Sequence, residues 1–231
     1  MASLVSVALA AYKGERFIEE QLNSILAQLG PEDEVVVSDD CPSSEMSALV
    51  LKMAEEDPRI RYVEGPGKGV IRNFNNAIAK TKGDIIFLSD QDDVWLPGKV
   101  ENVTAAIEGG ADLVLHNAAV TDADLNVTDP SFFMRHGSRP GYWQNILKNS
   151  YMGCCMAFRA ELKCIALPIP AKVPMHDQYI GLLAEKHGKV AFLDEPLIYY
   201  RQHGNNVTGG KTSLSDKVRW RLDILLLTAF K

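Results

Sequence analysis

The chain has no surplus of positive charge. Its 24 Lys and Arg stand against 30 Asp and Glu, a formal net charge of -6. A protein built to hold nucleic acid needs the opposite balance, because phosphate backbones demand Lys and Arg. Cysteine is scarce, with four residues at Cys41, Cys154, Cys155 and Cys164. None forms a Cys-x-x-Cys pair, which leaves zinc and thioredoxin-type readings without support. They read as reduced structural thiols of a cytosolic protein. No basic region precedes the first apolar run, so Leu4–Ala10 reads as a buried strand and not as a signal peptide. Without a secretory signal, the Asn-x-Thr triplets at Asn102, Asn126 and Asn206 say nothing about glycosylation. Tandem repeats and low-complexity stretches are missing too. The 231 residues, 46% hydrophobic and 23% charged, fit one large domain or one domain with an appendage.

What is present is an alternation of apolar runs and helical stripes. Leu4–Ala10 is the first strand. Gly14 to Leu29 follows as a helix, with Ile18, Leu22, Ile25, Leu26 and Leu29 on one face. Strands are predicted at Glu34–Ser38, Arg59–Val63 and Asp84–Leu88. Between them lie a stripe of Met46, Leu49, Val50 and Met53 and a helix over Val70 to Ala79. This is the pattern of βαβ units and a mostly parallel sheet. Phe132 to Pro140 reads as a loop. Beyond it, Cys154–Phe158 reads as a strand, His176–His187 as a helix and Val190–Leu193 as a strand. The tail from Ser215 to Phe230 is basic first and apolar later. Lys231 follows the apolar patch with no cap, which points to a chain that continues in the natural protein.

Ligands of an open parallel sheet bind outside the carboxyl ends of its strands. Two strand ends here carry acids, Asp39-Asp40 and Asp90-Gln91-Asp92-Asp93. Carboxylates crowded on a strand end repel one another unless a cation neutralises them. Hard oxygen ligands select Mg2+ or Mn2+, and such ions bridge substrate phosphates. The competing reading makes Asp92 or Asp93 a helix cap before Pro97. Asp39 and Asp40 can accept a hydrogen bond from a uracil or thymine N–H or from a ribose hydroxyl, or can serve as turn residues before Pro42.

These segments resemble the family 2 glycosyltransferases. The opening Ser6-Val7-Ala8-Leu9-Ala10-Ala11-Tyr12-Lys13-Gly14-Glu15 is similar to their donor-binding start. Val35-Val36-Val37-Ser38-Asp39-Asp40 resembles their second strand and base-binding acids. Gly69-Val70-Ile71-Arg72-Asn73-Phe74 is similar to their Gly…Arg-Asn segment, and Asp90-Gln91-Asp92 to their Asp-x-Asp site. Further on, Met152–Phe158 is similar to an acceptor-side strand and His176-Asp177-Gln178 to the segment of the catalytic base. Leu197–Asn206 resembles a tail of the rhamnosyltransferase-like branch. The resemblance runs in order over about residues 3 to 210. Two departures stand out. Asp39-Asp40-Cys41-Pro42 replaces Asp-Asp-Gly-Ser, so that turn cannot use the positive φ a glycine allows. Ala10-Ala11-Tyr12-Lys13 replaces Pro-Thr-Tyr-Asn, which loses a hydroxyl and brings a lysine within reach of phosphate.

The resemblance implies the GT-A fold, an α/β architecture with a mixed, mostly parallel sheet flanked by helices. It implies a catalytic domain over residues 1–210, with a nucleotide-sugar half at 1–115 and an acceptor half at 116–210, and a helical tail at 211–231. Donor contacts fall on Ala11, Tyr12, Glu15, Asp39, Asp40, Arg72, Asn73, Asp90 and Gln91. Mn2+ or Mg2+ falls on Asp92, Asp90 and His203; Asp90 reads otherwise as a holder of ribose or a metal-bound water, and His203 as a phosphate contact or as neither. Asp177 becomes the general base of an inverting transfer from a UDP- or dTDP-sugar to a glycan or lipid-linked glycan hydroxyl. The other reading of Asp177 is an N-cap. His176 reads as a surface residue, with orientation of the base as its alternative, and Trp95 as packing below the metal loop. The setting implied is bacterial surface polysaccharide synthesis, in the cytoplasm. The tail suits either an anionic membrane surface or packing on the core. A sugar nucleotidyltransferase is the runner-up, disfavoured because Ala10-Ala11-Tyr12-Lys13-Gly14 holds one glycine where a triphosphate cradle needs several. A non-catalytic nucleotide-sugar sensor is disfavoured by the intact acids.

Overall fold

A computed structural model describes residues 3–204 and 213–231. Apolar runs without alternation become strands buried on both faces. β1 (Val5–Ala11) is buried at every residue. α1 (Ile18–Leu26) follows after a turn, shorter than the predicted Gly14–Leu29. Then come β2 (Glu34–Asp39), α2 (Glu45–Glu56), β3 (Ile60–Glu64), α3 (Val70–Lys80) and β4 (Ile85–Ser89). Each begins within one residue of its predicted start. β5 (Val94–Trp95) and α4 (Lys99–Glu108) lead into β6 (Leu113–Thr121) and β7 (Val127–Asp129). The rest is α5 (Phe132–His136), α6 (Tyr142–Leu147), a 3-10 turn at Gly153–Cys155, β8 (Met156–Arg159), α7 (Lys163–Ala166), α8 (His176–His187), β9 (Val190–Arg201) and α9 (Leu214–Ala229).

The nine strands form one sheet in the order β3-β2-β1-β4-β8-β6-β9-β5, with β7 paired to β6. β1 to β4 run parallel, and β6 and β9 are parallel to each other. β8 is antiparallel between β4 and β6, and β5 closes the edge antiparallel to β9. The sheet is thus mixed and mostly parallel, with helices against it.

Four local expectations change. Phe132 to Pro140 is not all loop: Ser131 accepts a hydrogen bond from Met134 N at 3.2 Å and starts a turn of helix that Gly137 ends at φ 70°. Cys154–Phe158 splits into the 3-10 turn and β8. Val190–Leu193 is the beginning of a twelve-residue strand. Its partner β6 carries His116-Asn117 in mid-strand, both fully buried, and the register shifts there opposite Pro196. A bulge accommodates a proline that a regular ladder could not. Finally, neither Asp92 nor Asp93 caps a helix: α4 starts later, behind Gly98 at φ 87°.

Candidate active site

The strand register sets the site. Ala11 at the end of β1 lies opposite Asp39 of β2, and Leu9 opposite Ser89 of β4. The segments that follow, Tyr12-Lys13-Gly14, Asp40-Cys41 and Asp90–Asp93, therefore emerge on one rim. Gln91 binds the first to the third. Its Oε1 accepts from Tyr12 N at 2.7 Å and its Nε2 donates to Tyr12 O at 2.9 Å. The amide thus mimics a strand partner for the loop. Gly14 lies under it, where a Cβ would come within 2.4 Å of Gln91 Cδ. Lys13 takes φ 51°, and Cys41 is not among the residues with positive φ. Tyr12 is 56% exposed and Glu15 is exposed, both at the rim. Gln91→Ala removes two hydrogen bonds from a half-exposed loop. The expected result is a rise of roughly 5- to 10-fold in donor KM with kcat little changed. Steady-state kinetics measure it, and an unchanged KM would show that the loop holds itself.

The acids of β2 are already engaged. Asp39 is fully buried; its Oδ2 accepts from Ser47 Oγ at 2.5 Å and Tyr62 OH at 3.1 Å, and its Oδ1 from Cys41 N at 2.9 Å. Asp40 accepts from Gly67 N and Gly69 N, each at 2.7 Å, and orders the loop before α3. Asn73 is buried and spends its amide on Ala11 O and Ser38 O, at 3.0 and 2.8 Å, while its Oδ1 accepts from Ser38 Oγ at 2.6 Å. Through these bonds Asn73, one of the expected donor contacts, ties β1 to β2. Arg72 is half-buried at the start of α3, with a long 3.4 Å contact to Ile169 O.

The acid cluster follows β4. Oxygens of Asp90 and Asp93 and the sulfur of Cys154 lie within 4.8 Å of one another. Burial, then the charges of Asp92, Asp93 and Asp177, hold Asp90 well above the usual carboxylate range. Burial, then Asp92, raises Asp93 to about 7. Asp93 Oδ2 is buried without a hydrogen-bond partner. Asp92 Oδ2 lies 2.8 Å from His203 Nε2. His203 stacks on Phe17 at 4.9 Å, which fixes the imidazole plane. Arg201 braces the loop from the side: its backbone N–H donates to Asp93 Oδ1 at 3.1 Å and its Nε to Asp92 O at 2.9 Å. Its guanidinium pairs with Glu20 and lies 4.8 Å from the Phe17 ring centroid. A divalent cation suits this arrangement. Carboxylates that repel, an orphaned buried carboxylate oxygen and one imidazole are hard and borderline donors, a set that could hold a divalent cation.

Asp177 belongs to the same site. Its helix is capped by Met175, so Asp177 lies inside the first turn of α8 and is not the N-cap. It is 5% exposed, and its Oδ1 accepts from Gln178 N at 2.6 Å. Burial raises it to about 6, and hydrogen bonds from Gln178, Gly153 and Asn149 limit the rise. Its charge reaches Asp90, which places it near the acid cluster. His176 is not a surface residue. It is 6% exposed, stacks on Phe74 at 4.0 Å, and burial lowers it to about 3, so it is a neutral packing element. Gly153 makes room for it, since a Cβ there would lie 2.9 Å from His176 Nε2.

The structure thus gathers Asp90, Asp92, His203 and Asp177, with Tyr12 and Gln91 beside them. Asn205 and Asn206 of the tail segment and the 210/211 boundary lie outside the described residues. Roles for Cys154 and Arg201 were not foreseen. Both act on the acid loop across more than 50 residues of sequence, a separation that local pattern does not span.

A mixed, mostly parallel sheet with acids at its strand ends is the GT-A fold. The chain matches the family model described as Glycosyl transferase family 2 over residues 6–165, and it belongs to that family. Among curated relatives it is 26% identical over 211 residues to an uncharacterized glycosyltransferase of Nostoc sp., covering 87% of this chain and 66% of that one. It is 25% identical to the dTDP-rhamnosyl transferase RfbG of Shigella flexneri, covering 91% and 77%. Among solved structures, S. aureus TarS with UDP-GlcNAc superposes with TM-score 0.71 at 19% identity, covering 97% of this chain and 66% of that one. The Pyrobaculum calidifontis mannosyltransferase with GDP-Man and Mn2+ does so with TM-score 0.65 at 19% identity, covering 98% and 70%. The chain spans just under two thirds of the Nostoc relative and of the TarS 1-349 fragment, and 43% of the longer TarS structure.

Proposed function

We propose that this chain is a metal-dependent, inverting glycosyltransferase that moves a sugar from a UDP- or dTDP-sugar to a hydroxyl of a glycan or lipid-linked glycan in bacterial surface polysaccharide synthesis. The observation that carries this is the Asp92–His203 pair on the acid rim, with the buried Asp177 close enough for its charge to act on Asp90. Asp92, His203 and Asp90 would hold Mn2+ or Mg2+; once bound, the ion neutralises charge on the leaving diphosphate. Asp177 takes the proton from the acceptor hydroxyl. A single base on the face opposite the leaving group gives one displacement, hence inversion. Gln91 keeps the Tyr12 loop in place over the donor. Asp40, with 9% exposure and a spare lone pair on each oxygen, is the better placed of the two β2 acids to read the base. Arg72 adds positive charge beside the diphosphate.

The relatives support the substrate classes. RfbG is a dTDP-rhamnosyl transferase by name, and an Escherichia coli relative, 24% identical, is named for transfer from UDP-Glc to a diphosphoundecaprenol-linked sugar. The GT-A unit comprises residues 1–210, with donor and acceptor halves meeting near 115. α9 is docked inward through Ile224 and through Thr228, whose Oγ1 is 2.7 Å from Tyr142 OH. Its outward stripe of Val218, Leu222, Leu226 and Phe230 would touch the cytoplasmic membrane face. No helix among the described residues is long and apolar enough to cross a membrane.

Thermal shift with UDP, dTDP and GDP, each with and without Mn2+, tests the donor assignment. UDP or dTDP should raise Tm only with Mn2+. Preference for GDP would overturn the base assignment, and equal shifts in chelator would overturn the metal.

A further inference from the structure

Beneath the acid cluster lies a cation that sugar transfer leaves without a role. Lys99, the first residue of α4, is 0% exposed. Its Nζ donates to Cys154 O at 2.8 Å and sits 4.0 Å from the centroid of the Trp95 ring. A buried ammonium is costly unless hydrogen bonds and opposite charges compensate it. The Trp95 face supplies part of that compensation. The rest is anionic. The Cys154 sulfur lies within 4.8 Å of both the Asp90 and Asp93 carboxylates, and both acids exert their charge on Lys99. Burial lowers the amine to about 8, which leaves it charged at neutral pH.

We propose that Lys99 is the resident counter-cation of the acid cluster, holding Asp90 and Asp93 in place before the divalent ion arrives and offsetting part of that ion's attraction. It is a positioning residue, acting through Cys154 and the carboxylates. The effect on metal affinity rests on the metal reading above. Loss of this charge has two opposed consequences. Without metal, the carboxylates repel one another with less compensation and the protein melts lower. With metal, one fewer positive charge opposes the ion, and the ion binds more tightly. A lysine that merely packed would lower stability equally in both states and leave metal affinity alone.

The test uses Lys99→Met, which keeps an unbranched side chain against Trp95. Mn2+ is titrated into the donor-free full chain, and Tm is read in EDTA and in saturating Mn2+. The expected result is a Mn2+ Kd roughly 10-fold tighter than wild type, the size of effect one unit charge exerts at a high effective dielectric. Tm should fall in EDTA, and the deficit should shrink in Mn2+. An unchanged or weaker Kd overturns the proposal. Lys99→Met/Asp93→Asn removes one charge of each sign and should melt above Lys99→Met in EDTA. If it melts no higher, the counter-cation role is overturned, even where the single variant is too unstable to titrate. If wild type itself binds no Mn2+, the metal reading fails, and the EDTA comparison still decides the role of Lys99.

Discussion

Asp177→Asn should bind nucleotide-sugar normally and turn over about 10²- to 10⁴-fold more slowly, the contribution of a positioned general base. Asparagine is nearly isosteric but cannot accept the acceptor's proton at neutral pH. In the wild type, the rate should fall as pH drops through about 6, where the buried carboxylate protonates. That limb should be missing from the variant. Stability separates this role from a structural one. A carboxyl group raised in the folded state binds its proton more tightly there than in the unfolded chain. Its ionisation therefore costs stability as pH rises from the ordinary carboxylate range through 6. At pH 7 the neutral asparagine avoids that cost, so Tm should hold or rise. A residue needed to secure the first turn of α8 would instead lose ~1 kcal/mol with chemistry intact. Single-turnover rate, donor affinity and Tm on the one variant decide. A destabilised, fully active Asp177→Asn would remove it from the mechanism.

Asp92→Asn should lower kcat/KM by roughly 10²- to 10³-fold, the loss of several kcal/mol of charge stabilisation on the leaving diphosphate. It should also abolish any rise in Tm with Mn2+, a readout that needs no turnover. The fold should survive, because removing one of several crowded carboxylates relieves repulsion. Asp92 is among the charges that raise both Asp90 and Asp93. His203→Ala should weaken Mn2+ binding in the same assay while leaving Asp177 and its pH limb untouched. Full activity in chelator, or in Asp92→Asn, would end the metal assignment.

The nucleotide half was legible because its parallel strands are continuous apolar runs, each closing on a polar pair at the rim. β1, β2 and β4 declare themselves that way, and Asp39-Asp40 and Asp90–Asp93 mark where they end. The acceptor half hides its sheet. β6 carries His116 and Asn117 at its centre, buried and hydrogen-bonded within the strand and to β9, so no apolar run announces it. Pro196 similarly breaks the pattern of β9 at a bulge. In the site, the strand-end acids could be read from local pattern, whereas Asp177 was visible only through resemblance. The brace by Asn73, the burial of His176 and the role of Lys99 could not be read at all. Their partners lie at Ala11, Phe74 and Cys154, and adjacency of that kind is a property of topology.

Arg201 ties together Glu20, the Asp92 backbone and Ala123 from the far end of β9. The order of synthesis then has a consequence. When the ribosome has made residue 165, every strand up to β8 exists, yet the acid loop lacks both its brace and its imidazole. β6 also lacks its parallel neighbour, leaving an open hydrophobic edge of the kind that invites misassembly. On the proposed reading, competence to hold metal would therefore arrive abruptly with β9, and a nascent chain would remain inert toward nucleotide-sugar until that strand had emerged.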